Sequence, residues 1–404
     1  MNALALPVFR NYLAVNTLSF LGNWVERLSL SWLAWQTSHS AVWTGLISVG
    51  HIIPSAFLGP ICGALTEGWE LRRAATVINA VLAALSTSLF AVVILFHPPV
   101  PALALIAIMI GVVTALFQPV RLVMISRLVP ADTLSSAARL SATAFNLSRV
   151  LGPALAGFLI ATVGTDWSLA VNPGTYLPLI YVLQTMKLLP RPRPEGKQEP
   201  LWASIREGMA YLGRDRTIGW CMVLTACNAL LARSMLETMP VIVGKLLHGD
   251  STLLATVTAV SGGGAILASF IASAIVPSHY NAGRIAGIAA LAAGLGAALL
   301  GSAPEGTLML VAIAATSLFT TLSSINSQAL VYGVAQPAYR ARTLTWWSTF
   351  SLGSAAGGGV LLSIAAQSVP LGAVLVGGGV VAACMAGILL AVHPAAPPPA
   401  NARA

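Results

Sequence analysis

Residues 9–36 read FRNYLAVNTLSFLGNWVERLSLSWLAWQ. The run exceeds the roughly 20 mainly apolar residues that a helix needs to cross hydrocarbon. It nevertheless carries Asn16, Ser19, Asn23 and Glu26, spaced three, four and three, which sets four polar groups on one helical face. A charge at bilayer depth is expensive and is held toward a protein interior or a water-filled path. The stretch therefore predicts a membrane-spanning helix with an inward-facing carboxylate. Its basic region is the single Arg10, so it reads as a retained first span rather than a cleaved signal.

The rest of the chain supports that class. Of 404 residues, 57% are hydrophobic and 8% charged, and the mean hydropathy is +0.83. A soluble domain carries roughly 25% charged residues. The net charge of +9 fits cytoplasmic loops rich in Lys and Arg, and no basic patch interleaved with aromatics points to nucleic acid. Cys62, Cys221, Cys227 and Cys384 form no CxxC, the six histidines have no metal-ligand spacing, and no GxxxxGK[ST] loop exists. Neither metal nor cofactor is expected, and no nucleophile–base constellation suggests an enzyme.

Helix-length apolar segments predict twelve spans, six in each half. The first six run Leu13–Trp35, Val42–Leu65, Ala74–Phe96, Ala102–Ile125, Ser136–Val163 and Ser168–Met186. The second six run Ile218–Val243, Leu253–Val276, Ile285–Gly301, Leu308–Val331, Thr343–Ile364 and Leu371–Val392. The expected organisation is a bundle over 1–187, a linker over 188–216, a second bundle over 217–393 and a Pro/Ala-rich tail over 394–404, expected to be disordered. The stretch Lys187–Arg216 holds Pro190, Pro192, Pro194, Pro200 and seven Lys or Arg, which suits a linker, with a short amphipathic helix expected near Ile205–Leu212. With both termini cytoplasmic, the cytoplasmic loops hold Arg72, Arg73, Arg127, those seven cations, Arg284, Arg340 and Arg342. The outer loops hold Asp166, Asp250, Glu305 and Lys245. This asymmetry is the positive-inside pattern. Gln118–Gly157 and Gln328–Leu361 echo one another: an apolar helix, a Pro-containing turn with Arg, then a helix ending in small residues.

On three stretches the chain resembles the major facilitator superfamily, and within it twelve-span bacterial effluxers such as macrolide and enterobactin exporters. They are the first helix with its Gly–Trp–charged pattern, the Gly63–Arg73 loop GALTEGWELRR, and Phe117–Gly157. The resemblance implies an all-α fold of two pseudo-symmetric six-helix bundles and alternating access to a midplane cavity. It makes Glu67, Arg72 and Arg73 a cytoplasmic gating loop, although Gly68 replaces the usual base and the corresponding loop Pro277–Arg284 lacks the acid. It likens Gly152, Pro153 and Gly157 to the antiporter motif of exporters, where small residues permit close contact and proline provides a hinge.

Candidate pathway residues are Glu26, Arg27, Asn23, Arg149, Asn146, Arg233, Glu237, Gln118 and Asn326, with Arg121 and Gln328 on the same spans as the last two. Glu26 and Glu237 occupy matching places in the two halves, each with an arginine near it, Arg27 and Arg233. Arg233 and Glu237 are four apart and can pair along a helix; self-neutralisation and a switchable ion pair both fit. His51 reads as a satisfied polar group, Trp346 and Trp347 as interfacial anchors, and the triplets Gly262–Gly264 and Gly357–Gly359 as helix-packing or flexing sites. The expected function is export of an amphipathic small molecule from a bacterial inner-membrane monomer in exchange for protons. A lipid flippase or uniporter, and a non-transporting sensor or assembly factor, are the alternatives.

Overall fold

A computed structural model describes residues 3–66, 69–189, 201–274, 279–302, 306–336 and 339–392. Among these residues there is helix and no strand. The first half contains α1 (Pro7–Ser38), α2 (Ala41–Gly50), α3 (Ile53–Thr66), α4 (Leu71–Phe96), α5 (Val100–Leu128), α6 (Leu134–Val163), α7 (Thr165–Ser168) and α8 (Val171–Thr185). After α9 (Leu201–Arg214) come α10 (Arg216–Asn228), α11 (Ser234–Glu237), α12 (Met239–Val241), α13 (Ser251–Ala274), α14 (His279–Ser302), α15 (Gly306–Val334), α16 (Arg340–Ser368) and α17 (Leu371–Ala391).

Helix stands at all twelve expected span positions. Among the described residues, nine helices are long and apolar enough to cross a membrane by themselves. The other three positions have physical explanations. Helix α1 has the length, but its polar stripe lowers its hydropathy. The second span is broken between α2 and α3 at His51 and Ile52, because Pro54 lacks an N–H and crowds the preceding turn. The sixth is divided into α7 and the 15-residue α8.

Local chemistry sets the helix starts. Ser40 caps α2 by accepting from Trp43 N, Glu70 caps α4 through Arg73 N at 3.0 Å, and Asp215 caps α10 through Thr217 N and Ile218 N. Large apolar side chains remain exposed along the helices, among them Phe96 at 73%, Phe270 at 68% and Leu177 at 66%. Such a surface suits lipid and not water.

The chain packs as two compact units, residues 1–201 with 238–262, and residues 202–237 with 263–404. The chain first changes unit between Leu201 and Trp202, within the stretch 188–216, and changes again inside the seventh span, after Glu237, and inside the eighth, after Gly262. In the first unit α1 packs on α6 and α8, and α5 on α3 and α4, around Phe9, Tyr12, Leu82, Met124 and Tyr176. In the second, α14 packs on α15 and α17 through Ala286, Ala290 and other small residues, which let helix axes approach closely. Of the expected linker, residues 190–200 lie outside the described residues, as does the tail 394–404. The expected amphipathic helix is α9.

The seventh span is irregular. Between α10 and α11, Ala229–Arg233 forms a π turn, Thr238 breaks the helix, and Ile242–Leu246 forms a second π turn. Such widened turns cost hydrogen-bond regularity and collect at functional sites. A Cβ at Gly358 of α16 would overlap the Leu230 carbonyl oxygen, so the middle triplet glycine admits the widened turn. Trp347, expected at the interface, is instead buried in the second unit, where its indole Nε1 donates to Thr225 Oγ1 at 3.1 Å.

Candidate functional site: a buried carboxyl pocket and two buried arginines

Glu26 is 1% exposed, and α1 packs on α8, which in turn packs on α4. The side chains of Ser86 on α4 and Asn172 on α8 hydrogen-bond to its carboxylate. Asn172 Nδ2 also donates to Ser86 Oγ at 3.1 Å, and Tyr176 donates its hydroxyl to Asn23 Oδ1 at 2.7 Å. The second carboxylate oxygen, Oε2, has no hydrogen-bond partner. Gly22 permits this closeness: a Cβ there would lie 2.6 Å from both Asn172 Oδ1 and Thr175 Oγ1. Glu26 thus sits in an enclosed polar pocket built from α1, α4 and α8 of one unit.

Arg27 does not face Glu26. Consecutive helical residues point about 100° apart, and here they serve different neighbours. Arg27 Nε donates to Ser48 O at 3.0 Å, and its guanidinium lies 4.9 Å from the Trp24 ring centre. The last carbonyls of a helix lack intrahelical donors, and the break after α2 leaves Ser48 O among them. Arg27 therefore caps a broken helix, and the expected Glu26–Arg27 partnership is corrected. His51, at the same break, is buried against the Ile47 backbone, and neither ring nitrogen makes a hydrogen bond of ordinary geometry.

In the second unit the expected Arg233–Glu237 pair is present. Arg233 is 4% exposed, its Nη2 donates to Glu237 Oε1 at 3.4 Å, and its Nη1 donates to Ser351 Oγ on α16 at 2.9 Å. The pair spans the end of the first π turn and α11. Asn326 is buried and donates to Leu322 O of its own helix at 2.9 Å, while Gln328 is exposed.

The first unit holds a second buried arginine, Arg121 on α5, at 8% exposure. Its Nη2 donates to Gln118 Oε1 at 2.8 Å. Its guanidinium carbon lies 5.0 Å from the Phe20 ring centre and 5.5 Å from that of Phe145. Arg121 Nε and the neighbouring Tyr12 hydroxyl make no hydrogen bond. Pro119 lies between Gln118 and Arg121 and removes one helical N–H donor there.

The remaining expected residues are dispersed. Arg149 is half-buried on α6, and the side chain of Asn146 lies outside the described residues. Pro153 lies within α6. A Cβ at Gly152 would overlap Trp24 of α1, and one at Gly157 would lie 2.5 Å from Ala255 Cα of α13. Both glycines are therefore close-packing positions. Glu67 lies outside the described residues, and Arg72 and Arg73 are exposed at the start of α4. No metal-binding cluster of His, Cys, Asp and Glu occurs among the described residues. Sequence reasoning missed Ser86, Asn172, Tyr176 and Ser351, each an ordinary polar residue within an apolar helix.

The comparisons with known proteins agree with this architecture. The chain is 26% identical to the MFS-type transporter YfiS of Bacillus subtilis, covering 66% of this chain and 65% of that protein. It is 23% identical to the staphyloferrin A transporter of Staphylococcus aureus, covering 63% and 64%. The multidrug efflux pump Tap of Mycolicibacterium fortuitum is 25% identical over 47% and 48%. The matches thus span about two thirds or less of these relatives' lengths. Among solved structures, the nucleoside transporter NupG superposes with a TM-score of 0.73 at 12% identity, covering 96% of this chain and all of that one. A D-xylose–proton symporter gives 0.64 at 16%, covering 93% and 97%. These likenesses show the shared fold. The profile of the transmembrane secretion effector family, a family of the major facilitator type, matches residues 1–402, and the chain belongs to that family.

Proposed function

We propose that this transporter exports an amphipathic small organic molecule across the bacterial inner membrane, with both its termini cytoplasmic, in exchange for protons. The observation that carries the reading is the enclosed pocket of Glu26. An intramembrane acid is a candidate for a proton relay, and this one is surrounded by neutral donors and acceptors. Ser86 and Asn172 lie within hydrogen-bonding reach of the carboxyl group, while its Oε2 makes no hydrogen bond. The two protonation states are therefore satisfied differently by α1, α4 and α8, so proton exchange can bias which packing of these helices is preferred. A conformational equilibrium moves only when two states bind the proton or the cargo with different affinity. The Arg233–Glu237 pair supplies a second acid on an irregular span. The relatedness to a multidrug efflux pump and a siderophore transporter supports an organic cargo and outward movement. Proteoliposomes loaded with fluorescent amphipaths of positive, zero and negative charge test it. An imposed pH gradient is expected to drive flux of at least one of them, and Glu26→Gln with Glu237→Gln to abolish the gradient dependence. Gradient-driven flux that survives both substitutions overturns the acid roles.

A further inference from the structure

The environment of Arg121 in the first unit differs from that of Arg233 in the second. Arg233 is matched by Glu237, whereas Arg121 has Gln118, the faces of Phe20 and Phe145, and Tyr12 around it, all neutral at physiological pH. A buried cation without a carboxylate is costly, and an intramembrane one marks a ligand path by default. The aromatic faces recover part of that cost through cation–π attraction, but they leave Nε with an unused proton. The unpartnered Tyr12 hydroxyl adds a second unused donor on α1. Gln118 and Phe145 are half-buried, the least covered members of this group around a buried guanidinium. A planar guanidinium with a free edge fits a carboxylate in the bidentate manner. The rings beside it fit the apolar body of the same molecule.

We propose that Arg121, with Phe20, Phe145 and Tyr12, binds the anionic group of the cargo, so that the preferred substrate is an amphipathic carboxylate. The assignment rests on the reading of the chain as a transporter of amphipathic organic molecules, and adds the charge that such a molecule carries. Displacing Gln118 Oε1 from Arg121 by the incoming carboxylate replaces a neutral acceptor with a charged one, which strengthens the bond.

The test is equilibrium binding to purified protein in nanodiscs without any gradient, so its result does not depend on export direction or proton coupling. The probes are 1-pyrenebutyrate and its neutral amide, which share one apolar body. The wild-type protein is expected to bind the carboxylate about ten-fold or more tightly than the amide. Arg121→Gln is expected to remove that preference while leaving affinity for the amide unchanged, and Arg121→Lys to retain part of it. Equal binding of the two probes by the wild-type protein overturns the proposal without any variant being made. A preference that persists in Arg121→Gln overturns it as well. A failure of gradient-driven flux with the preference intact would count against the proton-exchange reading alone.

Discussion

The Tyr176 hydroxyl donates to Asn23 Oδ1 at 2.7 Å, tying α8 to α1 one helical turn from Glu26. Both partners lie inside the first unit, and Asn23 Oδ1 receives a second, longer bond of 3.4 Å from Asn172 Nδ2. Tyr176→Phe removes the short bond and leaves the ring in place. Interhelical hydrogen bonds in membranes contribute about 0.6 kcal/mol on average and up to about 1.7. Loss of about 1 kcal/mol is expected in a denaturant titration of the detergent-solubilised protein. No measurable loss would show that the Tyr176–Asn23 bond does not stabilise the fold.

Gly22 and Gly174 make a paired test of how the pocket closes. A Cβ at Gly22 would meet Asn172 Oδ1 and Thr175 Oγ1 at 2.6 Å, whereas one at Gly174 meets nothing within 4 Å. Gly22→Ala forces those side chains apart and is expected to destabilise by about 1–3 kcal/mol. Gly174→Ala lies in the interior of α8 and is expected to stabilise by about 0.5–1 kcal/mol, through the lower entropy of the unfolded chain. The same unfolding titration reads both. Equal effects would contradict the packing of α1 on α8.

The features that were legible in the sequence are those set by spacing along one helix. The stripe of Asn16, Ser19, Asn23 and Glu26, and the four-residue step from Arg233 to Glu237, depend only on the pitch of the chain. What the stripe faces depends on residues far away: Ser86 and Asn172 are 86 positions apart and meet at one carboxylate. No local pattern encodes that meeting. Arg27 was misread because neighbours in sequence diverge on a helix. The reading of Val42–Leu65 as one span passes over Pro54, which breaks it at His51, and the π turn at Ala229–Arg233 has no local signal, since its residues Ala, Leu, Leu, Ala and Arg are all good helix formers. It reflects the approach of α16 through Gly358, which is a tertiary effect.

Glu207 on α9 holds that helix to the segment before α16 and sets a pH window. Tyr339 donates its hydroxyl to Glu207 Oε1 at 2.8 Å, and Arg342 Nη1 bonds the other oxygen. Tyr211 stacks on Tyr339 with ring centres 4.5 Å apart, and its hydroxyl accepts from Gln336 N. The bond from Tyr339, then that from Arg342, holds the Glu207 carboxyl below the usual carboxylate range. A lowered acid contributes in full above its ordinary pKa and loses that contribution as pH falls through the folded value. The Tyr339 phenol is raised by the same bond, so its contribution is present below the ordinary tyrosine pKa and is lost as pH rises through the higher folded value. Docking of α9 is thus expected to hold at neutral pH and weaken at both acid and strongly alkaline extremes. Hydrogen exchange of α9 amides across pH, corrected for intrinsic rates, reads this directly. Glu207→Gln is expected to remove most of the acid-side change, and an unaltered acid limb in that variant would exclude Glu207 as its source.

Arg233 and Glu237 separate the energetic role of an ion pair from its functional one. Removing one partner of a buried pair leaves an uncompensated charge and costs about 3–5 kcal/mol, whereas replacing both by apolar groups of similar size is often neutral or stabilising. Arg233→Met alone and Glu237→Leu alone are therefore each expected to destabilise, since both side chains are largely buried. The double variant is expected to unfold within about 1 kcal/mol of the wild-type protein. Ser351 would lose a donor in either variant lacking Arg233, a further small cost shared by the single and the double. If the pair only allows the seventh span to insert, the stable double variant transports at the wild-type rate. A stable double variant with little flux would instead assign the pair to the transport cycle, at the π turn where the span is least regular.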